Sequence, residues 1–246
     1  MHDPNIIRQI VTFIAPQESE HLVEIGPGGG ALTAKILPYV KTLEVIELDK
    51  DVIPILEKTC DYSSKLHIYI TDVLQVDFTK FHAPIRLVGN LPYNISTPLL
   101  FYLLKNIALI QDMHFMLQKE VAERIIAKPG TKIYGRLSVM LQYHYETKLL
   151  LHIGSGAFSP APKVTSAFIR FVPRKSQAIV AYDENNLNKI VRLAFGQRRK
   201  TILNTLKGHI SVEQLEHLGI NPKLRPEQLS VDEFVRISNE SLNLKT

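Results

Sequence analysis

Between residues 21 and 117 the chain alternates five short apolar runs with longer segments of helical periodicity, and few folds accommodate that alternation. The runs are His21 to Ile25, Leu43 to Glu47, Leu66 to Thr71, Ile85 to Gly89 and Met113 to Leu117. Strands this short, each followed by a helix, predict a parallel sheet covered on both faces. Two more β-like stretches, Leu149 to Ile153 and Thr165 to Val172, are separated only by the turn-rich segment Gly154 to Lys163 and predict a hairpin-type end to the sheet. Ahead of the first strand, Ile6, Ile7, Ile10, Val11, Phe13 and Ile14 recur at helical spacing and stop before Pro16, which predicts one amphipathic helix.

The pattern changes near residue 180. Pro173 to Gln177 is polar and basic, and from Asp183 onward every periodic segment is helical: Leu187 to Phe195, Lys200 to Leu206, Val212 to Leu218 and Val231 to Leu242. The expected organisation is an α/β domain over residues 1–178 and a small all-helical C-terminal domain over residues 179–246. With 45% hydrophobic residues the chain can bury a core, so global disorder is excluded. No apolar run approaches the roughly 20 residues of a membrane span, and the N-terminus has no leader pattern. Cys60 is the one cysteine, which rules out a disulfide framework or a thiolate zinc site and suits a cytoplasmic protein. The nine histidines lack metal-ligand spacing, so no metal is expected. A sequence pI near 9.2 tilts the expectation toward a polyanionic partner.

Val23-Glu24-Ile25-Gly26-Pro27-Gly28-Gly29-Gly30 falls where the first strand ends and the next helix begins. Glycine there permits positive φ and close approach of a ligand, while the helix start offers free amides. The same letters fit the dinucleotide pattern at Gly26, Gly28 and Ala31, with an acid about 20 residues on at Glu47. Taken alone, the turn is compatible with a nucleoside-containing cofactor or with a plain structural bend. Glu47, ending the second strand, is placed to accept hydrogen bonds from both ribose hydroxyls, and Asp72, just after the third, to face the adenine. As ordinary helix caps both would be equally at home.

Asn90-Leu91-Pro92-Tyr93 follows the fourth strand, and Asn94 to Pro98 opens a helix that Thr97 is expected to cap. Methylation of an exocyclic adenine amine needs such a set. The amine lone pair is delocalised into the ring, so the protein must accept its two protons and hold the nitrogen in line with a sulfonium methyl. The Asn90 oxygen and a backbone carbonyl near Leu91 supply acceptors, Tyr93 stacks on the base, and Pro92 stiffens the turn. Catalysis by positioning is expected, without covalent intermediate or metal. Phe158, in the loop before Pro160 and Pro162, is the candidate for the second face of a base sandwich, although loop aromatics commonly tuck into a core. Arg198, Arg199 and Lys200, with Arg192, are candidates for phosphate contact, and Lys119, Arg124, Lys128, Lys132 and Arg136 form a second basic stretch; runs of cations are also often merely solvated. Cys60 has no neighbouring base, which disfavours a thiolate-dependent methyltransferase.

Together these blocks resemble the KsgA-type rRNA adenine N6-dimethyltransferase family, in its bacterial small-subunit branch. The similar segments are Val23 to Thr33, Val45 to Asp51, Val88 to Leu100, His114 to Arg124 with Tyr134 to Val139, Ala157 to Ala167 and Phe195 to Thr201. The resemblance implies a Rossmann-like class I methyltransferase sheet with S-adenosyl-L-methionine as cofactor, held by Gly26, Gly28, Glu47, Asp72 and Asn90. It implies Asn90, Leu91 and Tyr93 at the target amine and Phe158 stacking the base. It further implies dimethylation of two adjacent adenosines in a hairpin near the 3′ end of 16S rRNA within the small ribosomal subunit, late in assembly, by a monomer. Family members usually begin with a basic segment and a Gln-Asn-Phe-Leu-type motif, whereas Met1-His2-Asp3 stands where that motif would be ending, and a truncated chain is the expected reason.

Three rivals share part of the pattern: a resistance-type adenine N6-methyltransferase of large-subunit rRNA, an rRNA-binding assembly factor on the same scaffold, and a nicotinamide-dependent oxidoreductase. The last leaves Asn90 to Tyr93 unexplained, and intact Asn90 to Tyr93 argues against loss of chemistry.

Overall fold

The computed structural model describes residues 1–159, 164–197 and 199–242. Seven strands form one sheet: β1 (His21–Ile25), β2 (Leu43–Glu47), β3 (Leu66–Ile70), β4 (Ile85–Asn90), β5 (Ile110–Gln118), β6 (Tyr145–Ile153) and β7 (Ser166–Pro173). The helices are α1 (Pro4–Ile14), α2 (Thr33–Ile36), α3 (Ile53–Thr59), α4 (Ser96–Leu104), α5 (Lys119–Ile125), α6 (Arg136–His144), α7 (Glu184–Gly196), α8 (Ile202–Thr205), α9 (Val212–His217) and α10 (Val231–Glu240). All seven expected strands are present, β5 and β6 longer than their apolar patterns and β7 shifted by one residue, and α1 starts two residues earlier because Asp3 caps it and Pro4 fits its first turn.

The sheet order is β3-β2-β1-β4-β5-β7-β6. Pairings from β3 through β5 are parallel, and β5 with β7 is antiparallel. The chain builds outward from β1 to β3, then returns to the other side of β1 as β4. Ligands in such sheets bind outside the carboxyl ends of the strands where the order reverses, here between β1 and β4. β6 and β7 are consecutive neighbours, as a hairpin-type ending requires, with β7 as the inner strand.

By contacts the chain divides into two compact units, Met1–Ala122 with Thr147–Pro173, and Glu123–Glu146 with Arg174–Thr246. In the first, Ile10 and Ile14 of α1 and Ile36 of α2 pack with Leu22, Leu43 and Val45 of the sheet in one apolar cluster. Beside it, Arg86 and Asp112 face each other across β4 and β5, buried and joined by two hydrogen bonds of 2.8 and 3.1 Å. Arg86 also donates to the Ile14 carbonyl at 2.7 Å and to Glu20 at 2.6 Å, tying the end of α1 to the sheet. In the second unit, Phe195 and Phe234 lie 5.6 Å apart, and Asn186 donates to Ser238 and Ser241. Ser230 and Glu233 form a reciprocal cap at the start of α10.

Candidate active site

Gly26 follows β1 with φ 67°, a left-handed conformation that favours glycine, and its amide donates to the Ile46 carbonyl at 2.9 Å. Gly28 has φ 52° and aims its amide at Glu47 Oε2, 3.0 Å away. Glu47 Oε1 accepts from the amides of Leu48 and Asp49 at 2.9 and 3.0 Å. Three backbone donors thus fix this carboxylate at the end of β2 and join it to the glycine turn. Asp72 accepts from the Leu74 amide at 2.9 Å and caps the short 3-10 turn Val73–Gln75, so the capping role foreseen for it as an alternative is real. One cavity of about 180 Å³ is lined by Gly26, Glu47, Asp72, Val73, Pro92 and Asn94, among others. Of the residues expected at the cofactor, Gly26, Glu47 and Asp72 line this one hollow at the carboxyl ends of β1, β2 and β3, whereas Gly28 and Asn90 do not line it. A larger hollow of about 650 Å³, between Leu37 and Tyr62 to Lys65, contains none of them.

Asn90 is the last residue of β4 and lies opposite Met116 of β5. Its backbone stands next to the glycine turn: a Cβ on Gly26 would be 3.6 Å from the Asn90 carbonyl oxygen and 3.7 Å from Pro92 Cδ. The Asn90 side chain is half-buried and makes no hydrogen bond among the described residues. Leu91 is buried and its amide donates to the Met116 carbonyl at 3.2 Å, so only its backbone is available to a ligand. Tyr93 is half-buried, with its hydroxyl 2.9 Å from Ser166 Oγ.

Two expectations are corrected. Thr97 is not a cap: the Pro92 carbonyl accepts from the Ile95 amide at 3.2 Å and from Ser96 Oγ at 3.0 Å, so α4 starts at Ser96 and Thr97 lies inside it. Phe158 is not held out in solvent; it is 9% exposed, in the apolar cluster with Ile10 and Ile14. The preceding Ala157 carbonyl accepts from the His2 amide at 2.9 Å, which holds this loop against the start of the chain. Pro160 to Lys163 and Arg198 lie outside the described residues. Arg192, Arg199 and Lys200 are exposed. Burial pushes the Cys60 thiol up to about 11, which suppresses its thiolate.

Two residues near the site gave no sequence signal. Glu24 of β1 is 1% exposed, and Glu24 Oε2 has no hydrogen-bond partner among the described residues. Burial pushes its carboxyl from 4.5 to about 7, with Glu47 adding to the rise and the Thr33 hydroxyl opposing it. Ser166, buried at the start of β7, meets Tyr93 only because the sheet order brings β7 beside β5.

Residues 1–242 match the family model described as ribosomal RNA adenine dimethylase. The chain belongs to that family. This adenine dimethylase is 49% identical to the ribosomal RNA small subunit methyltransferase A of Hydrogenovibrio crunogenus, over 97% of this chain and 92% of that one. It is 47% identical to the protein of the same name from Pseudomonas aeruginosa, over 99% of this chain and 92% of that one. Among solved structures, a dimethyladenosine transferase from Plasmodium falciparum superposes with a TM-score of 0.83 at 27% identity, covering 96% of this chain and 95% of the other. The 23S rRNA methyltransferase ErmE shares the fold, with a TM-score of 0.76 at 21% identity and 98% of both chains covered. The dimethylase is an S-adenosylmethionine-dependent enzyme on a class I methyltransferase sheet, and its substrate is ribosomal RNA. No helix among its described residues is long and apolar enough to cross a membrane.

Proposed function

We propose that this enzyme dimethylates N6 of two adjacent adenosines in a hairpin near the 3′ end of 16S rRNA, within the small ribosomal subunit and late in its assembly, as a cytoplasmic monomer. Identity near one half, over nearly the whole length of proteins named small subunit methyltransferase A, supports the choice of subunit. The large-subunit alternative has only a shared fold behind it.

The cofactor supplies an electrophilic methyl group, and its fit rests on the carboxylate line at the strand ends. Glu47, preset by three amides, faces the ribose hydroxyls; Asp72 keeps one carboxylate oxygen beyond its cap for the adenine amine; Gly26 and Gly28 let the ligand approach the backbone. Asn90, whose side-chain groups are free of other hydrogen bonds among the described residues, accepts a hydrogen bond through its side-chain oxygen from one N–H of the target amine, and the Leu91 carbonyl accepts one from the other. Their acceptance returns electron density to the nitrogen and holds it in line. Tyr93 stacks on the base. Chemistry resides in residues 1–178, and residues 179–246 serve RNA selection, with Arg192, Arg199 and Lys200 as phosphate contacts.

The observation that carries this reading is the adjacency of Asn90 and Gly26 at the point where the strand order reverses. Labelled methyl transfer to unmethylated small subunits, large subunits and naked RNA, followed by nucleoside analysis, tests it. N6,N6-dimethyladenosine formed with small subunits alone is the expected result. Label on large subunits overturns the choice of substrate, and binding without label favours an assembly factor.

A further inference from the structure

Ser166 opens β7 opposite Gln118 of β5 and is fully buried. Its hydroxyl oxygen lies 2.9 Å from the Tyr93 hydroxyl. The backbone around Tyr93 is held by other bonds, from the Leu91 amide to Met116 and from the Ile95 amide and Ser96 hydroxyl to Pro92. None of these fixes the Tyr93 ring, which turns about its own side-chain torsions.

We propose that Ser166 is a positioning residue for methyl transfer: by holding the Tyr93 hydroxyl it fixes the ring on which the target base stacks, and thereby governs the second of the two transfers to each nitrogen. The inference rests on the stacking role of Tyr93 given above. Two transfers to one nitrogen present two different acceptors to the same surface. The first is an amine with two protons, which Asn90 and the Leu91 carbonyl both hold. The second carries a methyl group, is bulkier, and has one proton left to be held. It therefore depends more on the ring for its alignment, and misplacement by about 1 Å can cost about a hundredfold in rate. Ser166 is well suited to this task because the β5 to β7 ladder fixes its own backbone.

The experiment uses the full chain, unmethylated small subunits and labelled S-adenosylmethionine, and follows N6-methyladenosine and N6,N6-dimethyladenosine with time. Ser166→Ala is expected to slow the second transfer relative to the first by about threefold to tenfold, the effect of one neutral hydrogen bond, so that monomethylated nucleoside accumulates. Cofactor affinity stays at the wild-type value. Tyr93→Phe removes the same bond from the other side and gives the same shift, even if Ser166→Ala folds poorly. The double variant is no worse than either single one. Ser166→Thr, which keeps the hydroxyl, restores the wild-type product ratio. A folded Ser166→Ala variant with the wild-type ratio, or a double variant whose effects multiply, overturns the proposal. Tyr93→Ala separates the two layers of the argument. Unchanged transfer by Tyr93→Ala removes the stacking role and this inference with it, whereas loss of transfer there beside a silent Ser166→Ala removes this inference alone.

Discussion

Gly89 of β4 runs so close to Ile25 of β1 that a Cβ on Gly89 would stand 2.3 Å from the Ile25 carbonyl oxygen. The two are register partners in the parallel pair that carries Gly26 and Asn90 at its carboxyl ends. Gly89→Ala forces these strands apart, and the expected loss is ~2 kcal/mol or more in urea unfolding, in the range of an overpacked core. Gly156→Ala is the control, since a Cβ there meets nothing within 4 Å, and it should change stability by less than ~0.5 kcal/mol. Equal midpoints for the two variants would count against the close approach.

Asn90→Ala should lower the rate of methyl transfer by about a hundredfold or more, the usual loss when one preorganised hydrogen-bonding group is removed. Its melting temperature should stay close to wild type, because the side chain holds nothing else among the described residues. Single-turnover kinetics on small subunits checks this, and near-normal turnover would remove Asn90 from the mechanism.

Glu24 makes stability depend on pH. Its carboxyl titrates near 4.5 in the unfolded chain and at about 7 when folded, because burial penalises the charge. Between these values the folded state keeps a proton that the unfolded state has released, so stability falls as pH rises through that window, by about 3 kcal/mol in all, and levels off above it. Glu24→Gln should flatten this part of the curve in denaturation series from pH 4 to 8. A slope equal to wild type would show that Glu24 does not carry it.

Removing Arg86 leaves Asp112 buried beside the half-exposed Arg170, 3.2 Å away, and the imidazole of His114, 3.7 Å away, which burial keeps from taking up charge. Arg86→Met is therefore expected to cost up to ~3–5 kcal/mol, and Arg86→Met with Asp112→Leu less than the single change, since a buried charge stripped of its buried partner is worse than none. Chemical denaturation of both variants decides it; a milder single change would contradict the buried-charge argument.

Arg199→Gln tests the phosphate role of the exposed cations at the start of the α8 segment. Each lost contact should make the plot of log binding constant against log salt shallower by about 1, so the deficit is largest at low salt and shrinks as salt rises. An unchanged slope would mean that Arg199 is simply solvated.

Local pattern was enough to locate all seven strands, the first helix and the glycine turn, because each is written in residues adjacent in sequence. The tetrapeptide at Asn90 was legible for the same reason. Other features depend on partners far along the chain. Nothing around Ser166 signals Tyr93, 73 positions away, and nothing around Arg86 signals the Ile14 carbonyl. The packing of Glu123 to Glu146 with the C-terminal helices is likewise a long-range property. Phe158 shows where local logic stops: proline-flanked loops expose aromatic rings only if no apolar neighbour is within reach, and α1 offers one.

The inner position of β7 also has a meaning in time. During synthesis the first five strands can pair as they emerge, but β6, made before β7, has its place only on the far side of β7. Pro173 follows Ile153 by 20 positions, so at about 5–20 residues per second β6 waits roughly one to four seconds without its neighbour. Newborn copies of this enzyme of ribosomal RNA thus pass through a brief vulnerable interval while still held by a ribosome, with the Tyr93 anchor arriving only when that interval closes.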